Sequence, residues 1–173
     1  EDVGIGLPGT ISTNVNFTYL DKFATTPDQV AIPLTDYAGT LGGGEVGTQA
    51  GSYRWKLFSR LNYSVGPATI GIQWQHKPSI KSAAAATNST TNIAGAPAYD
   101  LFNLNFRVQL LDNVAIRGGI DNLFDKAPPY VGYRLDDVPG DGVGRFGRAA
   151  SPYSASEYDI LGRRFFIGAT VKL

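Results

Sequence analysis

From Phe165 to Leu173 every second residue is apolar: Phe165, Ile167, Ala169, Val171 and Leu173. Phe166, Gly168, Thr170 and Lys172 lie between them. A period of 2 sends one set of side chains to each face of a β-strand. A strand that continues to the last residue has to be paired, because chain ends otherwise fray. The same period recurs upstream, and it constrains the fold more than any other feature of the chain.

Five earlier segments alternate in this way. Thr10 to Leu20 sets Ile11, Thr13, Val15, Phe17 and Tyr19 against Ser12, Asn14, Asn16 and Thr18. Tyr53 to Val65 sets Tyr53, Trp55, Leu57, Leu61 and Tyr63 against Arg54, Lys56, Arg60 and Asn62. Ala68 to Lys77 opposes Ile70, Ile72 and Trp74 to Thr69, Gln73 and Gln75. The cleanest segment turns Phe102, Leu104, Phe106, Val108 and Leu110 away from Asn103, Asn105, Arg107 and Gln109. In Val114 to Phe124, Val114, Ile116 and Ile120 oppose Arg117 and Asp121. These segments match the about 9 to 11 residues that cross a tilted bilayer span, whereas ordinary strands average about 5 to 6. No helical period competes, and Ala83 to Ala86 is too short for more than a turn within a loop.

The connections alternate in length. Gly66-Pro67 and Leu111-Asp112-Asn113 are short, whereas Asp21 to Ser52, Pro78 to Ala98 and Asp125 to Glu157 are long. Loops in soluble domains have a median of about 4 to 6 residues. Outer-membrane barrels pair short periplasmic turns with long extracellular loops. The expected fold is therefore all-β, an antiparallel up-and-down transmembrane barrel segment with both ends on the periplasmic side. A soluble β-sandwich binding module is the alternative, since a one-sided sheet also alternates.

Composition agrees. Charged residues make up 17% of the chain, below the roughly 25% of a soluble domain. The net charge of zero gives no reason to expect nucleic acid as a partner. There is no Cys, which removes thiolate chemistry, and no apolar run nears the length of a spanning helix. There is no Met, and the chain begins Glu1-Asp2-Val3, so a processed product or a fragment is expected.

Two stretches carry a family resemblance. Gly119-Ile-Asp-Asn-Leu-Phe-Asp-Lys126 resembles the penultimate-strand motif of TonB-dependent outer-membrane receptors. Tyr158 through Gly162-Arg163-Arg164 to Leu173 is similar to their closing strand. Phe165, Gly168, Val171 and Leu173 occupy its barrel-closing signature, although the family usually ends in Phe and carries a larger apolar residue where Ala169 stands. Such receptors have barrels of about 22 strands around a plug. The resemblance thus implies that residues 1–173 are the last six strands of a larger barrel, without the plug domain or coupling segment. It implies an active transporter for a scarce nutrient of siderophore, cobalamin or oligosaccharide type, multi-pass in the bacterial outer membrane and energised through the TonB complex. The implied partners are outer-membrane lipid, the plug and remaining strands, the barrel-assembly machinery and the small-molecule nutrient. A plugless porin-like or adhesin-type barrel is the second reading.

Candidate sites follow from the faces. Arg54, Lys56, Arg60, Arg107, Arg117, Arg164 and Lys172 fall on the polar parity with Asp121, and are expected to face a lumen or plug. In the last long loop, Tyr130, Tyr133, Arg134, Arg145, Phe146, Arg148 and Tyr153 mix aromatics with guanidiniums. That mixture can stack on and hydrogen-bond an anionic or polyhydroxyl ligand, and it also suits a self-packed surface loop. His76 is the single histidine, on the apolar parity beside Trp74, and an interfacial role is expected rather than metal ligation. Gly42–Gly47 and Gly142–Gly147 match a phosphate-loop pattern but follow no apolar strand. Asp136 to Asp141 lacks the alternate carboxylates of a Ca²⁺ loop. No catalytic constellation, cofactor or metal is expected.

Overall fold

The computed structural model describes residues 6, 8–25, 34–41, 53–131 and 157–172. The strands are β1 (Thr10–Tyr19), β2 (Ala24–Thr25), β3 (Thr35–Asp36), β4 (Trp55–Val65), β5 (Ala68–Lys77), β6 (Tyr99–Leu111), β7 (Val114–Asp121) and β8 (Arg164–Val171). One 3-10 turn covers Ala83–Ala86. Six of the strands form a single antiparallel sheet in the order β1-β4-β5-β6-β7-β8, and β2 pairs with β3 alone. Among the described residues the sheet is open, with β1 and β8 at its edges.

Register decides which face each side chain takes, because a one-residue slip turns a whole strand over. Ile11 pairs with Tyr63, Tyr63 with Ile70, and Ile70 with Phe106. Phe106 pairs with Gly118, and Gly118 with Ile167. One apolar row thus runs unbroken across the sheet. The hairpin turns enforce this alignment. At Gly66-Pro67, Val65 faces Ala68 across two residues, and Gly66 takes φ 51, which suits a turn that places glycine first. The β6–β7 hairpin needs a correction. A plain two-residue turn after Leu111 would set apolar β6 residues against polar β7 residues. A bulge between Gln109 and Leu111 restores the match, so that Val108 faces Ile116. The Gln109 amide supports the bulge, donating to the carbonyls of Leu111 at 2.7 Å and Val114 at 3.2 Å.

Strand ends depart slightly from the alternation. The fifth alternating segment stops at Asp121 rather than Phe124, because Asn122 and Asp125 adopt φ 52 and 53. Asn and Asp are the side-chain-bearing residues that best tolerate that region. The sixth begins at Arg164 and ends at Val171, and Leu173 lies outside the described residues.

The apolar face carries no second layer among the described residues. Phe17 is 62% exposed, Phe165 72% and Ile167 80%. The buried cluster lies elsewhere, on the polar side of the sheet at the end bearing the long loops. It comprises Leu41, Tyr53, Ile80, Ala96, Tyr99 and Tyr158, with Leu101 and Val131 packed against it. A sandwich would bury the opposite face.

Candidate functional site

Two features mark the loop-bearing end of the sheet. The first is on the apolar face. A chain of rings runs Phe17–Trp55–His76–Trp74–Phe102–Phe124, with successive centroids 6.0, 4.9, 5.9, 6.1 and 5.4 Å apart. Their register explains the line, since Phe17 faces Leu57 beside Trp55, Leu57 faces His76, and Trp74 faces Phe102. Asp100 faces His76 and accepts hydrogen bonds from Trp74 Nε1 at 2.7 Å and His76 Nδ1 at 2.7 Å. His76 therefore sits between two indoles, held by a carboxylate. Asp100 lies on the even parity of β6, and that parity was the available signal for its place on the apolar face.

The second feature is the loop layer on the polar side. A parallel bridge, Thr40 with Lys81, joins residues 34–41 to 78–98, and an antiparallel bridge, Ile80 with Ala96, closes the second segment on itself. Lys81 N–H donates to Gly39 O at 3.0 Å, and Leu41 N–H donates to Lys81 O at 2.7 Å. Asp36 organises the neighbouring turn, accepting from Phe23 N–H at 2.9 Å, Ala38 N–H at 3.0 Å and Arg54 Nη2 at 3.1 Å. The amide of Ala38 first, then that of Phe23 and the Arg54 guanidinium, hold this carboxyl below its usual range. An open cavity of about 1050 Å³ lies between these loops, with Arg54, Lys81, Ser82, Ser89 and Thr91 among its lining. Ser82 Oγ is buried there without a hydrogen-bond partner. A cavity rich in hydroxyls, with one guanidinium, can hydrogen-bond a polar solute.

A latch ties the layer to the sheet. Tyr53 and Tyr158 share a hydroxyl–hydroxyl bond of 2.7 Å, and Tyr99 meets Tyr158 edge-on at 5.1 Å. Lys77 Nζ lies 5.6 Å from the Tyr53 ring and 5.3 Å from the Tyr158 ring. It donates to the backbone carbonyl of Glu157 and to its Oε2 at 3.2 Å. Burial raises both tyrosine hydroxyls above their ordinary pKa. Both therefore stay neutral and able to donate at physiological pH. No local window of the sequence signals this latch, since its members come from four separate segments.

The two family-like stretches meet at one corner. Asn122, 1% exposed, donates its N–H to Asn103 Oδ1 at 2.8 Å and its amide to Lys126 O at 3.0 Å, and accepts from Lys126 N–H at 2.7 Å. Asp125 Oδ1 accepts the Arg163 N–H at 2.9 Å. Arg164 pairs across the ladder with Asp121 at 3.8 Å and reaches Asp159 at 2.9 Å. Burial alone would raise Asp159, but the bonds from Arg164 and the Leu161 N–H hold it below the usual range.

The expected polar-face residues divide into groups. Asp121 and Arg164 are partners. Arg60 reaches Gln73 once that amide is turned, at 2.7 Å, and lies 5.9 Å from the Phe58 ring. Lys56 lies 6.0 Å from the Tyr53 ring. Arg107 and Arg117 face each other across β6 and β7. Arg54 precedes β4 and is engaged by the loop, donating to Asp21 O at 2.8 Å as well as to Asp36. Lys172 follows β8, where its N–H donates to Asn113 O at 2.9 Å. Of the aromatic–guanidinium loop set, Tyr130 is described and half exposed. Tyr133, Arg134, Arg145, Phe146, Arg148 and Tyr153 lie outside the described residues, as do the glycine-rich motifs and Asp136 to Asp141. No protein-family model matches the chain, and neither curated proteins nor solved structures gave a significant match.

Proposed function

We propose that this chain is a wall segment of an outer-membrane β-barrel of the TonB-dependent receptor type, in which the apolar face meets lipid and the polar face lines the lumen. The observation that carries this reading is the single apolar row set running in register through six strands while remaining uncovered among the described residues. Exposed apolar patches beyond a few hundred Å² mark interaction or membrane surfaces. The line of Phe17, Trp55, His76, Trp74 and Phe102 suits the aromatic girdle of such barrels, where amphipathic rings sit at headgroup level. β4 spans 11 residues. At about 3.3 Å per residue and a tilt of about 45°, that length covers an apolar band of about 25 Å.

In this reading the loop layer is extracellular and the short turns are periplasmic. Nutrient capture falls to the loops, including the cavity beside Arg54. Passage follows when the inner-membrane motor acts on a plug carried by the same receptor. The corner of Asn122, Asp125 and Arg163 supports the family assignment, because it gives both resembling motifs a shared structural task. The test is membrane fractionation of the full natural polypeptide, with heat-modifiable migration on gels. Nutrient uptake is then compared with and without the inner-membrane motor. Recovery in the soluble fraction would refute the barrel, and uptake that persists without the motor would favour the plugless channel.

A further inference from the structure

Gly39 brings two cations from distant segments to one cavity. Its carbonyl accepts the Lys81 N–H at 3.0 Å, and the Lys81 carbonyl accepts the Leu41 N–H at 2.7 Å. A Cβ built on Gly39, which holds φ 82, would lie 3.2 Å from Arg54 Cγ and 3.5 Å from Arg54 Nε. The Arg54 stem thus lies against the same glycine that anchors Lys81. Arg54 Nη1 and Nη2 are bonded to Asp21 O and Asp36, and a guanidinium has further donors to offer. Lys81 is exposed and has no carboxylate partner among the described residues. Asp36 is the one carboxylate among the described lining, and Phe23, Ala38 and Arg54 already donate to it. The cavity is therefore net positive.

We propose that this cavity binds an acidic saccharide, a ligand joining a carboxylate to several hydroxyls, with Lys81 and Arg54 taking the carboxylate. The inference rests on the reading that nutrient capture falls to this loop layer, and it names the class of nutrient. Bonds from a cation to a carboxylate are charge-assisted and among the stronger ones. Hydroxyls surround the cations. Ser79 and Ser89 are exposed on the lining, and Thr91 Oγ1 accepts the Ile93 N–H at 3.2 Å, which leaves its own O–H to donate. Ser82 is 5% exposed, and its Oγ has no partner among the described residues. A buried hydroxyl without a partner is costly, and a ligand oxygen would supply one. Ala85, Ala86, Ile93 and Pro97 interleave small apolar surface with these groups, which suits the alternating C–H and O–H of a sugar. Trp55 is the one aromatic among the described lining, and it is already stacked against Phe17 and His76. Recognition therefore runs through charge and hydroxyls, which disfavours ligands held by stacking on planar chelating rings. At about 1050 Å³ the space reaches the upper end of the roughly 300 to 1,000 Å³ of small-molecule sites, so it has room for a short oligomer.

The test titrates trigalacturonate into the full natural polypeptide by calorimetry, with maltotriose as the neutral control and inorganic phosphate as the bare anion. Trigalacturonate should bind, should weaken as salt is raised, and should resist displacement by an equal concentration of phosphate. Lys81→Gln should weaken it roughly tenfold or more, the loss of one charge-assisted bond, while Lys81→Arg restores most of the affinity. The ties of Lys81 to Gly39 and Leu41 are main-chain bonds, so both variants keep the loop layer, and an unchanged thermal midpoint verifies it. Equal binding of trigalacturonate and maltotriose, displacement by phosphate, or an affinity indifferent to Lys81→Gln overturns the proposal. Heat-modifiable migration of the same samples separates this outcome from the fate of the barrel. A heat-modifiable barrel that ignores trigalacturonate overturns the saccharide site and leaves the barrel standing. A protein that binds trigalacturonate through Lys81 without heat-modifiable migration refutes the barrel and supports the site.

Discussion

Asp125 accepts the backbone N–H of Arg163 at 2.9 Å, across 38 residues of sequence. This bond closes a corner in which β7 ends, the long connection leaves, and β8 begins. Asp125 holds φ 53 and Gly162 holds φ 74, so both sides of the bond are left-handed turns. The corner depends on Asn122, whose side chain and N–H make three bonds while almost wholly buried.

Asn122→Ala should therefore be costly. It removes two side-chain bonds to Lys126 and forces a Cβ-bearing residue without a compensating amide into φ 52. Lost bonds and left-handed strain together suggest about 2 to 4 kcal/mol. Asn122→Gly should fall between Ala and wild type, since it relieves the strain but not the lost bonds. Thermal or denaturant midpoints of the three proteins check this order, and an Ala variant as stable as wild type would contradict it.

The tyrosine latch predicts a pH window. Burial raises the folded pKa of Tyr53 and Tyr158, so their contribution is complete below the unfolded value near 10 and declines as pH rises beyond it. Asp36 and Asp159 are lowered, so theirs is present above the unfolded value near 3.8 and declines as acid protonates them. The loop layer should thus hold from about pH 4 to about pH 10. Limited proteolysis of the loops across pH reads the window. Tyr53→Phe and Tyr158→Phe should each cost stability below pH 10 by losing the hydroxyl bond while flattening the alkaline decline, and the double variant should cost less than their sum, with a coupling of about 0.5 to 1.5 kcal/mol.

The sheet was legible in the sequence because alternation is a local signal. Ala68 to Lys77 has the bounds of β5, and within the six long strands the parity matched the face, whereas Tyr53, set on the apolar parity, precedes β4 and turns to the polar side. What escaped was non-local. Tyr53, Tyr99 and Tyr158 are buried by one another, and no window of sequence contains all three. The bulge at Leu110 follows from two constraints that must be held together, turn length and face parity. Phe124 looked like strand because it continued an apolar run, but Asn122 had already turned the backbone. The opposition of Arg107 and Arg117 needed the bulge to be known first.

Loop and strand deletions should differ sharply. Residues 84–90 include most of the 3-10 turn, while Lys81 and Ser82 before them are anchored to Gly39, Leu41 and the buried layer. Removing 84–90 changes loop closure by well under about 1 kcal/mol, and should leave heat-modifiable barrel near wild-type yield. Extending the deletion back through Lys81 should lower it. Removing Phe165 to Leu173 strips the partner from β7, exposing its backbone groups, and should abolish folded barrel. Equal yields for the first and last deletions would refute the role given to β8.

The face assignment of β6 separates a membrane wall from a sheet in water. Phe102, Leu104, Phe106 and Val108 share one face, and Asn103, Asn105 and Arg107 share the other. Arg at Phe106 should cost about 2 to 4 kcal/mol near the bilayer midplane, whereas Ser at Arg107 should cost far less. A soluble sheet with a covered face would also resist Phe106→Arg, so energy alone does not discriminate. Single Cys replacements along Phe102 to Leu110 in the assembled natural protein do. Positions 102, 104, 106 and 108 should react with a bilayer-dissolved reagent and resist a water-soluble one. Positions 103 and 105 should show the reverse. Lys or Arg neighbours raise thiol reactivity in water, so rates are compared with those of the unfolded protein. Lipid-phase labelling that fails to alternate along this strand would rule out its contact with the membrane.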